Sequence, residues 1–182
     1  MDDIVQQAMA KWPNVPHCYG WLGLDARGQW YMRDMQAQAA GTFASGAPGA
    51  KGSLLQHDKL IAFIQRNYVC DAHGQWYFQN GPQRVYVELE VSPWVWRVNE
   101  DLSVQAHTGQ GTRCIRCLVD EHGWVYLETP LGLGLVHTLD VGCIAAAVES
   151  ARCKVDEVMR ADLAGRYGFI NSPAARKSTA PG

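Results

Sequence analysis

A seven-residue pattern that occurs three times sets the strongest limit on what this chain can fold into. Asp25-Ala-Arg-Gly28-Gln-Trp30-Tyr31 is followed by Asp71-Ala-His-Gly74-Gln-Trp76-Tyr77 and by Asp120-Glu-His-Gly123-Trp-Val125-Tyr126, at spacings of 46 and 49 residues. Repeated supersecondary units recur at such intervals. Each copy reads as the turn of a β-hairpin. The aspartate bonds to its own backbone, the glycine takes a positive φ, and a large or β-branched residue opens the returning strand. Apolar runs precede each turn: Gly20–Leu24, Tyr68–Cys70 and Ile115–Val119.

The second and third copies stay alike downstream. Tyr77 to Glu88 lies over Tyr126 to His137 without a gap, and Glu90 meets Asp140 one gap later. This predicts a strand–turn–strand–turn–strand unit duplicated in tandem. In its last strand Val85, Val87, Leu89 and Val91 share one face, with Arg84, Tyr86, Glu88 and Glu90 on the other. Such alternation predicts an antiparallel strand with one dry face and one wet or site-facing face. Ser92-Pro93 ends it, because proline donates nothing to a ladder. Trp94 and Trp96 then share a face of a further short strand.

Helices come from a different period. Ser53-Leu-Leu-Gln56 has the form of a capping box, and Leu54, His57, Leu60, Ile61 and Ile64 fall within a stripe of roughly 120°. A helix from Leu54 to about Asn67 is expected, with His57 as a buried core histidine. A second is expected from Ile144 to Arg160, on the spacing of Ile144, Val148, Ala151, Val155, Val158 and Met159, and a short one from Ile4 to Ala10. The glycine-rich segment Gly41 to Gly52 reads as a long flexible connection, and the tail from Asn171 as holding little structure.

The 182 residues carry 16 Lys and Arg against 18 Asp and Glu, with 47% apolar and 19% charged residues. That balance excludes wholesale disorder and gives no basic surplus for a nucleic-acid partner. The most apolar stretch, Leu131 to Val148, is interrupted by His137, Thr138 and Asp140, so no membrane segment is expected. The acidic start Met1-Asp2-Asp3 lacks the form of an export signal. A cytoplasmic location follows, with the six cysteines (Cys18, Cys70, Cys114, Cys117, Cys143 and Cys153) as reduced, mostly buried thiols. Seven tryptophans point to an aromatic-rich core.

Few residues carry chemistry. Cys114-Ile-Arg-Cys117 has the spacing of a metal knuckle or redox pair, with His107 and His137 as further ligands. Its flanks read as a strand, however, where residues three apart point to opposite faces, and no metal or other cofactor is expected. Glu88 and Glu90 stand ~7 Å apart on one strand face, and the repeat brings His137 and Asp140 to matching places. These four would gather at the junction of two lobes as a ligand-binding site; solvated sheet surface is the plainer reading of the same pair. His73 and His122 occupy equal turn positions and read as surface. Thr108-Gly-Gln-Gly-Thr112 lacks the helix start that a phosphate cradle needs, and no nucleophile arrives with a recognisable histidine partner.

Gly28-Gln-Trp-Tyr31, the helix of Leu54 to Ile64, Asp71-x-x-Gly74-x-Trp-Tyr77, Val85-x-Val87-x-Leu-Glu-Val-Ser-Pro-Trp94 and His137-Thr138 together resemble an uncharacterised family of bacterial two-lobed α/β proteins, a domain of unknown function with tandem structural repeats. The resemblance covers about residues 20 to 148. It implies two repeated α/β units, self-association into a homo-oligomer and a link to signal transduction, and it transfers no catalytic residue. The Gly41–Gly52 loop and the C-terminal region depart from it.

The expected architecture is α+β: two similar lobes built from antiparallel β-hairpins, with helices packed on one side. Residues 1–99 would form the first lobe, 100–170 the second, and 171–182 a disordered tail. The expected function is a non-enzymatic module that binds a small molecule or protein in a regulatory or signalling role. The alternative is a small-molecule enzyme using the acidic and histidine groups between the lobes, with a metal.

Overall fold

In the computed structural model, which describes residues 2–12 and 14–179, all three Asp–Gly segments fold as tight turns of antiparallel hairpins. Gly28, Gly74 and Gly123 take φ of 78°, 78° and 79°, a region closed to most side chains. In each turn the aspartate Oδ1 accepts the amide of the residue four further on: Gln29 at 2.8 Å, Gln75 at 2.9 Å and Trp124 at 2.8 Å. The side chain thus replaces a missing backbone partner, which is why aspartate opens each copy.

The elements run α1 (Asp3–Lys11), β1 (Cys18–Leu24), β2 (Trp30–Met32), α2 (Met35–Ala40), β3 (Ser53–Leu54), α3 (Asp58–Arg66), β4 (Tyr68–Cys70), β5 (Trp76–Asn80) and β6 (Gln83–Leu89). They continue with β7 (Trp94–Val98), β8 (Val104–Ala106), β9 (Gly111–Thr112), β10 (Arg116–Asp120), β11 (Val125–Thr129) and β12 (Gly132–Val136). A 3-10 turn (Thr138–Asp140), α4 (Val141–Glu149), β13 (Val155–Val158), α5 (Arg160–Tyr167) and α6 (Pro173–Thr179) complete the chain. The fold is α+β, and the chain divides into two compact units.

The first unit holds the described residues up to Asp25, Gln29–Glu90 and those from Phe169 onward. Its sheet has the order β3-β2-β1-β6-β5-β4. Every neighbour pair is antiparallel except β1 and β6, which run parallel with Leu22 opposite Val87 and Leu24 opposite Leu89. Leu22, Leu24, Trp30, Ile64, Val87 and Leu89 are buried. α3 packs on β5, and α6 packs on β1 and β6.

The second unit holds Ala26–Gly28 and Val91–Gly168, so β7 belongs to it, whereas the sequence places a boundary at residue 99. Its sheet order is β13-β10-β11-β12-β7-β8-β9. Here β7 and β12 are parallel, as are β10 and β13. Trp94 and Trp96 share a face as expected, stacked with centroids 5.7 Å apart. The Trp96 indole donates to the Leu127 carbonyl at 3.0 Å and lies against Gly134, where an added Cβ would come within 2.5 Å of it. Trp96, Leu118, Tyr126 and Leu127 are buried.

Several expectations need correction. The helix expected from Leu54 begins at Asp58, because Ser53 and Leu54 pair with Met32 and Tyr31 instead of forming a capping box. His57 is therefore no core histidine: it is exposed, and its Nδ1 caps α3 by accepting the Leu60 amide at 3.2 Å. The helix expected over Ile144–Arg160 breaks into α4, β13 and the start of α5. Ala151 ends α4 with a φ of 56°, and the Arg152 amide reaches back to the Ala147 carbonyl at 2.8 Å. That is a helix stop usually made with glycine, and alanine gave no warning of it.

The Gly41–Gly52 connection is tied down, not slack. Arg33, 3% exposed, donates to the carbonyls of Ala50 at 2.8 Å, Gly20 at 3.2 Å and Gly41 at 2.6 Å, and Phe43 is buried. The stretch expected to hold little structure carries α6; residues 180–182 of that stretch lie outside the described residues. β6 is central and has no wet face, since Tyr86 and Glu88 are buried along with Val87 and Leu89.

Candidate functional site

A cavity of about 560 Å³ lies in the second unit. Its walls come from the carboxyl ends of two parallel strands and from the helix that follows them. β10 and its turn supply Val119, Asp120 and Glu121; β13 and the next residue supply Glu157, Val158 and Met159; α5 supplies Asp162 and Arg166. Ligands of open sheets that contain parallel strands commonly bind at such ends, where loops and helix starts leave a crevice. Its lining thus combines four acidic residues with one arginine and three apolar residues.

Each wall is held by specific bonds. The Asp120 carboxylate accepts the amides of His122 at 3.0 Å and Trp124 at 2.8 Å and the Tyr126 hydroxyl at 2.9 Å. Burial, with the adjacent Asp120, raises the Tyr126 pKa, so Tyr126 remains a donor. Glu121 accepts the Arg160 amide at 2.9 Å, which satisfies a free N–H at the start of α5. That bond lowers the Glu121 pKa. Arg160 lies 4.4 Å over the Trp124 ring, a cation–π contact that fixes α5 against the turn.

Asp120, Glu121 and His122 place one ligating atom each within 4.8 Å of the others, the one such group of three among the described residues. Oxygen donors with one imidazole suit a hard or borderline divalent cation. The cleft can therefore attract a positive charge. Among the residues lining it, none is a serine, threonine or cysteine, so it offers no hydroxyl or thiol nucleophile.

The residues singled out from sequence lie elsewhere. Glu88, 2% exposed, accepts the Ser172 hydroxyl at 2.5 Å and the Ala174 amide at 3.0 Å, and so holds the start of α6. Burial raises its pKa, although those two bonds and the charge of Arg33 oppose the rise. Glu90 pairs with Lys51 at 2.8 Å. In the second unit His137 Nδ1 accepts the Leu139 amide at 3.2 Å. Asp140 forms a two-pronged pair with Arg97 at 2.6 and 3.2 Å and accepts the Val98 amide at 3.0 Å. His137 and Asp140 are thus neighbours, while Glu88 and Glu90 belong to the first unit. None of the four lines the cleft. Cys114 and Cys117 are not gathered with His107 and His137 into a metal-binding group. His73 and His122 are exposed, as their turn positions predict.

Glu121, Glu157, Asp162 and Arg166 escaped sequence reasoning. Glu157 falls within the stretch expected as one continuous helix, and the break at Ala151 turns it onto a strand beside β10. The run Val155-Asp-Glu-Val158 gave little warning, because its two valines favour a strand and Asp156 and Glu157 do not.

Residues 1–174 match the model of the DUF2944 family, described as a protein of unknown function (DUF2946). The chain belongs to this family. A DUF2944 member carries no assigned activity, so its chemistry has to be read from the site. No curated protein matches the chain. A solved structure of a DUF1285 family protein from Silicibacter pomeroyi DSS-3 is similar to it, at 12% identity and a TM-score of 0.47, over 72% of this chain and 71% of that one. Among the described residues no helix is long and apolar enough to cross a membrane.

Proposed function

We propose that this DUF2944 protein is a non-enzymatic binding module with a regulatory role, and that its ligand is a small cation held in the cleft of the second unit. One observation carries the reading: a cavity of about 560 Å³ lined by Asp120, Glu121, Glu157 and Asp162 with Arg166 as its one basic side chain. A charged group in such a crevice is recognised by opposite charge, and the apolar lining of Val119, Val158 and Met159 adds contact for an alkyl body. An amine or guanidine with a short hydrocarbon chain fits this chemistry. The common strand order of the two units supports a tandem duplication, in which the second copy gained β13 and α5 and with them the cleft.

A second reading is a metal-dependent enzyme. The Asp120–Glu121–His122 group favours it, but the Asp120 carboxylate already holds its own turn, as Asp71 does in the first unit. Titration calorimetry with polyamines, arginine and magnesium separates the readings. Micromolar to millimolar binding of an organic cation, lost in the Glu157→Gln, Asp162→Asn double variant, is expected. Binding of magnesium alone, abolished by Glu121→Gln, would favour the metal enzyme, and no binding of any of these probes would remove the cleft as a site.

A further inference from the structure

Three cysteines separated in sequence converge at the start of the β10–β13 ladder. Cys117 lies within β10, 2% exposed. β13 runs parallel to it with Val155 opposite Cys117, and Cys153 lies two residues ahead of that partner. The Cys153 and Cys114 sulfurs both lie close enough to Cys117 to raise its pKa. The sequence objection to Cys114-x-x-Cys117 rested on strand alternation, but Cys114 precedes β10, so the partner of Cys117 comes from across the ladder.

We propose that Cys117 and Cys153 are a dithiol–disulfide pair, oxidised by a low-molecular-weight disulfide. All three thiols are free in this structure. The half-buried Cys153 sits between Arg152 and Lys154 in a segment outside regular structure, where the backbone has the slack to reach bonding distance, about 2.05 Å between sulfurs. Its thiolate attacks one sulfur of the oxidant, forming a mixed disulfide and releasing one thiol. The Cys117 sulfur then gives up its proton, attacks the Cys153 sulfur and displaces the second thiol. Two protein thiols lose two electrons and two protons, and the oxidant leaves as two thiols. Burial with the neighbouring sulfurs pushes the Cys117 pKa up to about 12, so the second step speeds up with rising pH. The bond would fasten an edge strand to its neighbour.

Reduced full-length protein is incubated with oxidised glutathione at mildly alkaline pH, blocked with iodoacetamide, digested and mapped by mass spectrometry. The expected product is a peptide pair joined through Cys117 and Cys153, formed equally in Cys114→Ser and absent in Cys153→Ser. Its formation should raise the Tm of the wild type, an upward shift reversed by dithiothreitol and missing in Cys153→Ser. Cys117 recovered alkylated, a bond from Cys114 to either partner, or glutathione retained on Cys153 would each overturn the proposal.

Discussion

The two units share a strand order and differ in how their connections are made. Read from the β9 edge, the second sheet runs β9-β8-β7-β12-β11-β10 before β13, the order of β3-β2-β1-β6-β5-β4 in the first. Each is two three-stranded meanders joined by a central parallel pair. In the first unit residues 33–52 separate β2 from β3 and residues 55–67 separate β3 from β4; the corresponding gaps in the second are only 107–110 and 113–115. Strand order therefore does not depend on the helices placed between the strands. What changes is how connections are held. The first unit uses remote clamps, Arg33 on the carbonyls of Gly20, Ala37, Gly41 and Ala50 and Glu88 on α6. In the second, the short β7–β8 and β8–β9 connections are held by local bonds, the Asp101 carboxylate accepting the Ser103 amide at 2.9 Å and Gln105 donating to the Gly109 carbonyl at 3.1 Å, while Asp140 clamps Arg97 and the Val98 amide from a distance.

The contrast breaks if the clamps prove dispensable. Arg33→Ala removes a buried charged donor from four carbonyls and should cost about 3 kcal/mol; urea unfolding measures it, with hydrogen exchange expected to rise across residues 41–52 and not in the second unit. A cost near zero would show that the loop is held by Phe43 alone. Glu88→Ala should cost about 2 kcal/mol by freeing Ser172 and the first amides of α6, with exchange rising in residues 172–179.

The turns should behave alike in both units. Asp71→Ala and Asp120→Ala each lose two backbone-amide bonds and one tyrosine hydroxyl bond, and Asp71→Ala also a bond from the Gln75 side chain, worth about 1–2 kcal/mol. Asp120→Ala should cost more, because its partner Tyr126 is fully buried. An equal or reversed ranking in thermal unfolding would remove that distinction. Ala151→Gly should stabilise by about 1 kcal/mol, by relieving a left-handed residue that carries a Cβ; no gain in urea unfolding would mean that the Cβ contacts offset its strain.

Acid separates the units on a finer scale. Burial raises the Glu88 pKa above the ordinary 4.5, so its contribution to stability is present below that value and is lost as pH rises through the folded-state pKa. Hydrogen bonding to Arg97 lowers the Asp140 pKa below the ordinary 3.8, so its contribution is present above that value and is lost as pH falls through the folded-state pKa. Carboxyl NMR titration should place Glu88 above and Asp140 below their ordinary values; the opposite order would contradict both assignments.

The turns, the α+β class and the ungapped register of the second and third copies were legible because they rest on local chemistry. β5 and β11 sit 49 residues apart over their whole length, as the Tyr77–Tyr126 alignment requires. The parallel pairs were not legible, because Val85–Leu89 reads the same whether its neighbour runs with it or against it. The cleft was hidden for a related reason. Its acids come from positions 120–121, 157 and 162, and only the left-handed Ala151, which no glycine marks, turns the chain from helix to strand between them. Glu88 was visible as an unusual carboxylate, but its partners Ser172 and Ala174 lie more than eighty residues away.

The first unit is interrupted in the chain: Phe169 and the described residues after it belong with strands that end at Leu89. On a ribosome, Val91–Gly168 must be made before those residues emerge, a wait of roughly four to sixteen seconds at typical elongation rates. Through that interval the nascent Glu88 has neither Ser172 nor Ala174, and the Leu89 amide lacks the Asn171 carbonyl. The second unit can close first, and the earlier-made sheet waits for the segment that follows Gly168 to complete it.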